Sequence, residues 1–171
     1  MKYIKKMILV FMMCLMMVAC GQKSQTIHLE KDGNIHEIAD QVSFYYPKDF
    51  AIDTANDNTE ILQLILDEEV FNYITEKDDT DNAVEDMPEL YAGQLEEDGA
   101  SDVQYYSKKL ESGIECQVFT GRFLATGMKF KHIVYFTDQY VYDYSYQAPE
   151  EIYDDCIAAR TQYLESLTVH H

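Results

Sequence analysis

From Asp102 onward, apolar and polar positions alternate with a period of two, interrupted at regular intervals: DVQYYSKKL, ESG, IECQVFTGRFL, ATG, MKFKHIVYF, TDQ, YVYDYSYQ. Successive side chains of a strand point to opposite faces, so the pattern predicts four consecutive antiparallel strands joined by three-residue turns, two of them carrying glycine. Pairing outward from TDQ sets Phe136 against Tyr140, Val134 against Tyr142, His132 against Tyr144 and Phe130 against Tyr146. Pairing around ATG sets Val118 against Val134, Thr120 against His132 and Cys116 against Phe136. One face is then richly aromatic. The other carries Lys129, Lys131, Ile133, Tyr135, Val141, Asp143 and Ser145.

The period changes at Pro149. Glu150 and Glu151 occupy a first helical turn, and apolar residues recur at Ile152, Cys156, Ile157, Leu164 and Leu167, which predicts a terminal helix. Upstream, PELYAGQLEE reads as a shorter helix opened by Pro88, after a solvated acidic loop, KDDTDNAVED. EILQLILDEEVFNYITE fits neither period cleanly; two strands turning near Asp67 and Glu68 are favoured over a helix between Asn58 and Glu76. VSFYYPKDF is a strand stopped by Pro47. TIHLE and IHEIA read as a hairpin about Asp32-Gly33, pairing His28 with Glu37 and Leu29 with His36. No internal repeat appears.

Residues 1–19, MKYIKKMILVFMMCLMMVA, place three lysines before thirteen uncharged residues and end on a small one, the pattern of a secretory signal peptide. Thirteen residues at about 1.5 Å each reach roughly 20 Å, short of the ~30 Å hydrocarbon core a spanning helix crosses. Val18-Ala19-Cys20-Gly21 resembles the bacterial lipobox, with Met17 where that motif most often has leucine. The resemblance implies cleavage before Cys20 and attachment of lipid to its thiol. Two acyl chains would anchor the protein stably, where one would hold it marginally. The expected organisation is a signal peptide (1–19), a lipidated cysteine and tether (20–25) and a single α+β domain (26–169), lipid-anchored on the extracytoplasmic face of the cell membrane.

Charge narrows the partners. The chain carries −18, and loss of residues 1–19, with three of its thirteen basic and none of its thirty-one acidic residues, leaves −21. Such a surface repels phosphate backbones, so nucleic acid is not an expected partner. Of four cysteines, Cys14 leaves with the signal and Cys20 takes lipid. Cys116 and Cys156 remain, and outside the cytoplasm two thiols suggest a disulfide closing a loop of about forty residues, worth roughly 4 kcal/mol, the alternative being two separate buried thiols. An aromatic face of this size needs cover, and the terminal helix has the only stripe long enough, which would bring Cys156 over Cys116. The alternative is an open groove lined by Tyr140, Tyr142, Tyr144 and Tyr146. Ligand-binding candidates there are Arg122, His132, Tyr144 and Tyr146, polar groups set in an aromatic surface.

Signatures of reaction chemistry are missing: no Gly-x-Ser-x-Gly, P-loop, dinucleotide fingerprint or His-Glu-x-x-His occurs. A triad of Cys116, His132 and Asp143 fails because the registers put Asp143 across the sheet from His132. A calcium loop over Lys77 to Asp86 fails on the positions of its glycine and last glutamate. Metal binding by His28 and His36 fails because the hairpin directs them to opposite faces. No catalytic residue, metal or cofactor is assigned.

The order of elements, with FYYPKDF opening it and YSYQAPEEIYDD and YLESL closing it, resembles the PsbP-like family over roughly residues 41–167. The markers are Tyr46, Pro47 and Phe50, the tyrosine-rich penultimate strand, and a last helix ending in Ser166-Leu167. The resemblance implies an α/β/α sandwich around a mainly antiparallel sheet, and accessory or assembly roles beside membrane complexes rather than a shared reaction. The expected function is that of a non-catalytic binding or assembly lipoprotein with an envelope or membrane protein partner. The alternative is a small-ligand or cation-binding lipoprotein using the aromatic groove.

Overall fold

The computed structural model describes residues 27–38, 41–53, 61–78 and 82–170. The expected signal peptide, Cys20, the tether and part of the acidic loop lie outside the described residues. A single helical turn, α1 (Leu29–Asp32), leads into β1 (Gly33–Ile38), which pairs with β2 (Val42–Pro47). Then come β3 (Ala51–Ile52), β4 (Ile61–Leu66), β5 (Glu69–Lys77) and α2 (Met87–Glu97). Four long strands follow, β6 (Ala100–Lys109), β7 (Glu115–Phe123), β8 (Met128–Phe136) and β9 (Tyr140–Pro149), before α3 (Glu150–Leu164) and β10 (Thr168–Val169). The strands form a seven-stranded antiparallel sheet ordered β3-β4-β5-β9-β8-β7-β6 and a three-stranded antiparallel sheet ordered β1-β2-β10. This is a mixed α+β fold.

The ambiguous stretch is a hairpin: Leu66 pairs with Glu69 across Asp67-Glu68, with Asp67 at φ 51°, the left-handed conformation a tight two-residue turn requires. The expected hairpin about Asp32-Gly33 is corrected. Lys31 and Asp32 donate their amides to the His28 carbonyl, closing a helical turn, and β1 pairs forward with β2 instead of back. Gly33 is extended rather than left-handed. It is glycine because a Cβ there would lie 2.9 Å from the Leu29 carbonyl and 3.1 Å from the Tyr163 ring.

Both long-hairpin registers differ from expectation by one residue. Phe123 pairs with Met128 across a four-residue loop, so Leu124 belongs to the turn and is 68% exposed. Phe136 pairs with Val141, again across four residues, with the Thr137 hydroxyl accepting the amide of Tyr140. A one-residue slip exchanges the two faces of a strand. Because the slips fall on either side of β8, they cancel between β7 and β9, and β8 alone is turned over. Lys131, Ile133 and Tyr135 share a face with Tyr142, Tyr144 and Tyr146, while Phe130, His132, Val134 and Phe136 join Phe119, Val141 and Asp143 on the other.

Each face has its own core. The tyrosine face packs beneath α3 and the small sheet, in a cluster holding Val42, Phe44, Cys116, Val118, Ile133, Tyr144, Tyr146, Tyr153, Leu164 and Leu167. The opposite face carries Phe119, Phe130, Val134 and Phe136 beneath Leu95 and Tyr91 of α2. The terminal helix covers the tyrosines as its apolar stripe suggests, and Phe44 from the small sheet shares the task, its ring 4.4 Å from that of Tyr144.

Candidate functional site

The four ligand-binding candidates do not converge. Tyr144 is fully buried and donates its hydroxyl to the Tyr45 carbonyl at 2.9 Å; burial pushes its pKa well above the ordinary tyrosine value. Tyr146 is fully buried beside it and donates to Glu69 Oε2 at 2.7 Å. Arg160 of α3 grips the same carboxylate with two bonds, Nε to Oε2 at 2.8 Å and Nη2 to Oε1 at 2.9 Å, with its guanidinium 5.0 Å above the Phe50 ring. The Tyr144 and Tyr146 part of the expected groove is therefore occupied by the protein's own side chains, with these hydroxyls turned to internal acceptors, while Tyr140 at the end of the strand is exposed.

His132 lies on the opposite face, where the turned β8 brings it to Asp143. His132 Nδ1 is 2.9 Å from Asp143 Oδ2, and the Tyr91 hydroxyl donates to that same oxygen at 2.8 Å while standing 3.0 Å from Nδ1. The expectation that Asp143 cannot reach His132 is overturned by the register. A catalytic triad still does not form. Cys116 faces the tyrosine side, donates its thiol to the Lys108 carbonyl, and has a pKa pushed up to about 11 by burial, which disfavours the nucleophilic thiolate. Tyr91 packs on Phe119 at 4.7 Å and Phe136 at 5.8 Å. Burial, then the Asp143 charge, raises its pKa well above the usual value, so the phenol stays a donor. The three groups fasten α2 to the sheet.

Both Cys116 and Cys156 are free thiols, correcting the expected disulfide. Cys116 sits opposite Lys108, whose ammonium pairs with Glu165 just past the end of α3. Cys156 lies nine residues back along that helix, about 13 Å of rise, beside Glu69 and Arg160. Helix docking does not bring the two together.

Arg122 alone of the candidates is exposed. It pairs with Asp102 at 2.7 Å on the rim of a cleft of about 540 Å³ between β6–β8 and the first half of α3. Lys129, on the same rim, pairs with Glu150 at 2.8 Å and Asp154 at 2.9 Å. Lys131 donates to Thr161 Oγ1 at 3.1 Å; burial lowers its pKa. Lys129 and Lys131 share a face as the alternation of β8 suggests, and the turned register adds Arg122, opposite Lys129, to the same end of the sheet. Tyr91, Glu69 and Arg160 were also missed; each is an ordinary polar position in its own helix or strand, and only the tertiary pairing brings them together. Among the described residues no group of three or more His, Cys, Asp or Glu side chains is placed to hold a metal ion, and no helix is long and apolar enough to cross a membrane.

No protein-family model matches the sequence, and no curated protein matches it. Among solved structures, cyanobacterial PsbP (CyanoP) from Synechocystis sp. PCC 6803 is similar over 88% of this chain and 99% of its own, with a TM-score of 0.63 and 12% identity. A Pseudomonas aeruginosa protein of unknown function is similar over 81% of this chain and 98% of its own, with a TM-score of 0.51 and 12% identity. Identities this low carry the fold alone, and the fold is PsbP-like.

Proposed function

We propose that this chain is a lipid-anchored protein of the extracytoplasmic face of the cell membrane, acting without catalysis as an accessory or assembly factor for a membrane or envelope protein. The anchoring half of the reading rests on residues 1–21: the short apolar run behind three lysines and the Val-Ala-Cys-Gly junction. The binding half rests on one observation. The broad aromatic sheet face is filled by α3 and the small sheet, with Tyr144 and Tyr146 bonded inward. What such a domain offers a partner is its outer surface.

Co-purification from membranes with the anchor intact tests the proposal. A defined membrane or envelope protein should be enriched with the wild type and lost with Cys20→Ser, which removes the lipid attachment while leaving the domain unchanged. Background proteins alone, under several growth conditions, would count against the accessory role.

A further inference from the structure

β6 ends the seven-stranded sheet, and among the described residues no strand lies beyond it. A terminal strand presents unpaired N–H and C=O groups that will pair with an extended chain unless the edge is blunted. At the other end, β3 has only two residues. β6 has ten, and two blunting devices flank it. Near its start the ladder shifts register between Ser101 and Gln104, with Asp102 at φ 56°; near its end stand Lys108 and Lys109. Between them Gln104, Tyr105, Tyr106 and Ser107 are uncharged and exposed on both faces. Tyr105 is 45% and Tyr106 51% exposed, pointing to opposite sides of the sheet.

Charge indicates what fits there. Residues 100–136 hold five of the chain's thirteen Lys and Arg residues but three of its thirty-one acids, a net +2 within a chain of −18. Lys108, Arg122, Lys129 and Lys131 share the Tyr106 face, and Lys109 lies on the Tyr105 face. The existing pairs of Arg122 with Asp102 and of Lys129 with Glu150 and Asp154 have exposed carboxylates, and Lys108 is held by a partly exposed Glu165 of the C-terminal end of α3; pairs in contact with water exchange one carboxylate for another at little cost, and Lys109 lies on the face away from them. A second copy of this chain sets no carboxylate directly opposite either lysine: antiparallel self-pairing over Gln104–Lys109 would put Lys109 against Gln104 and Lys108 against Tyr105, with Asp102 only diagonal to Lys109.

We propose that the β6 edge is a docking site for an extended acidic segment of a partner protein. The segment adds antiparallel along Gln104–Lys109, laying side chains over Tyr105 and Tyr106 and carboxylates against Lys108 and Lys109. The inference rests on the accessory reading above and gives that partner its chemistry.

The test uses the full chain in detergent micelles and three acetylated octapeptides with one alternating valine–threonine body, begun by two glutamates, two glutamines or two lysines. Binding is read by titration, and its place by hydrogen exchange with mass spectrometry. The glutamate peptide should slow exchange over residues 100–109 and bind roughly tenfold tighter than the lysine peptide. That order should reverse in Lys108→Glu/Lys109→Glu. Absence of protection, protection on another strand, or equal affinity for all three peptides would overturn the proposal. Concentration-dependent protection of residues 100–109 in the free protein would do so too, since it marks self-pairing. A membrane partner that co-purifies undiminished with Lys108→Glu/Lys109→Glu would leave the accessory role standing and remove this edge as its site.

Discussion

His132 Nδ1 and Asp143 Oδ2 stand 2.9 Å apart as diagonal neighbours on adjacent strands, a contact that exists only because β8 is turned over relative to the register its turns suggest. The carboxylate is 6% exposed, and its second oxygen has no hydrogen-bond partner. Its stability in the interior therefore depends on the two donors that meet the first.

Tyr91→Phe removes one of those donors without changing the shape of the core. A buried carboxylate that loses a partner costs about 1–3 kcal/mol, so the variant should unfold at lower urea concentration with an unchanged slope. Hydrogen exchange in α2 should accelerate more than in β8 and β9, because Tyr91 is the polar tie of that helix to the sheet. Unchanged urea unfolding would mean that this bond contributes nothing.

The Glu69–Arg160 pair makes a separate prediction. With side chains only 10% and 14% exposed, the pair couples β5 to α3 in a poorly hydrated setting. Arg160→Met leaves a buried charge without its cation and should destabilise the fold by about 3–5 kcal/mol. Glu69→Met/Arg160→Met should recover most of that loss, because an apolar pair of similar volume replaces the ions. Equal instability of single and double variants in urea titrations would contradict the assignment.

Alkaline pH should unfold the protein through its tyrosines. Burial pushes Tyr73 up to about 12 and holds Tyr91 and Tyr144 well above the ordinary value. A group whose pKa is raised by folding stabilises the fold fully below its unfolded value, near 10, and loses that contribution as pH climbs toward the folded value. Stability should thus decline above about pH 10. Ionisation of these phenols, followed by near-ultraviolet absorbance, should coincide with loss of tertiary circular dichroism; ionisation in a still-folded protein would contradict their burial.

With both thiols free, reductant should leave the melting temperature unchanged. Alkylation in denaturant without reductant should label both Cys116 and Cys156. Under native conditions Cys156, which is half-buried, should react before Cys116, which is 1% exposed. A melting temperature that falls on reduction would restore the disulfide.

Local chemistry was readable wherever an element's limits are written into its own residues. Pro88 and Pro149 mark the starts of α2 and α3, Asp67-Glu68 turns β4 into β5, and β8 runs from Met128 to Phe136 as its alternation suggests. Loop counting was not readable. Leu124 and Tyr140 look like strand residues by composition. Yet Leu124 falls in a turn, and Tyr140 pairs with Lys77 of β5 rather than with β8, a long-range contact no hairpin rule supplies. Those two residues decide which face His132 takes and hence the composition of both cores. The site followed the same pattern: Arg122 emerged on an accessible surface, whereas Tyr144 and Tyr146 were drawn inward by Phe44 and Glu69, partners remote in sequence. The α1 turn was missed for a different reason, since Asp32-Gly33 carries a turn composition but Gly33 is held by close approach of Leu29 and Tyr163.

The intact mass of protein extracted from membranes bears most directly on the central claim, that this domain works tethered to a bilayer. The account predicts a chain beginning at Cys20 with residues 1–19 removed and the mass of a diacylglyceryl group on its thiol. A chain of any other start, or one beginning at Cys20 with the thiol unmodified, would contradict it.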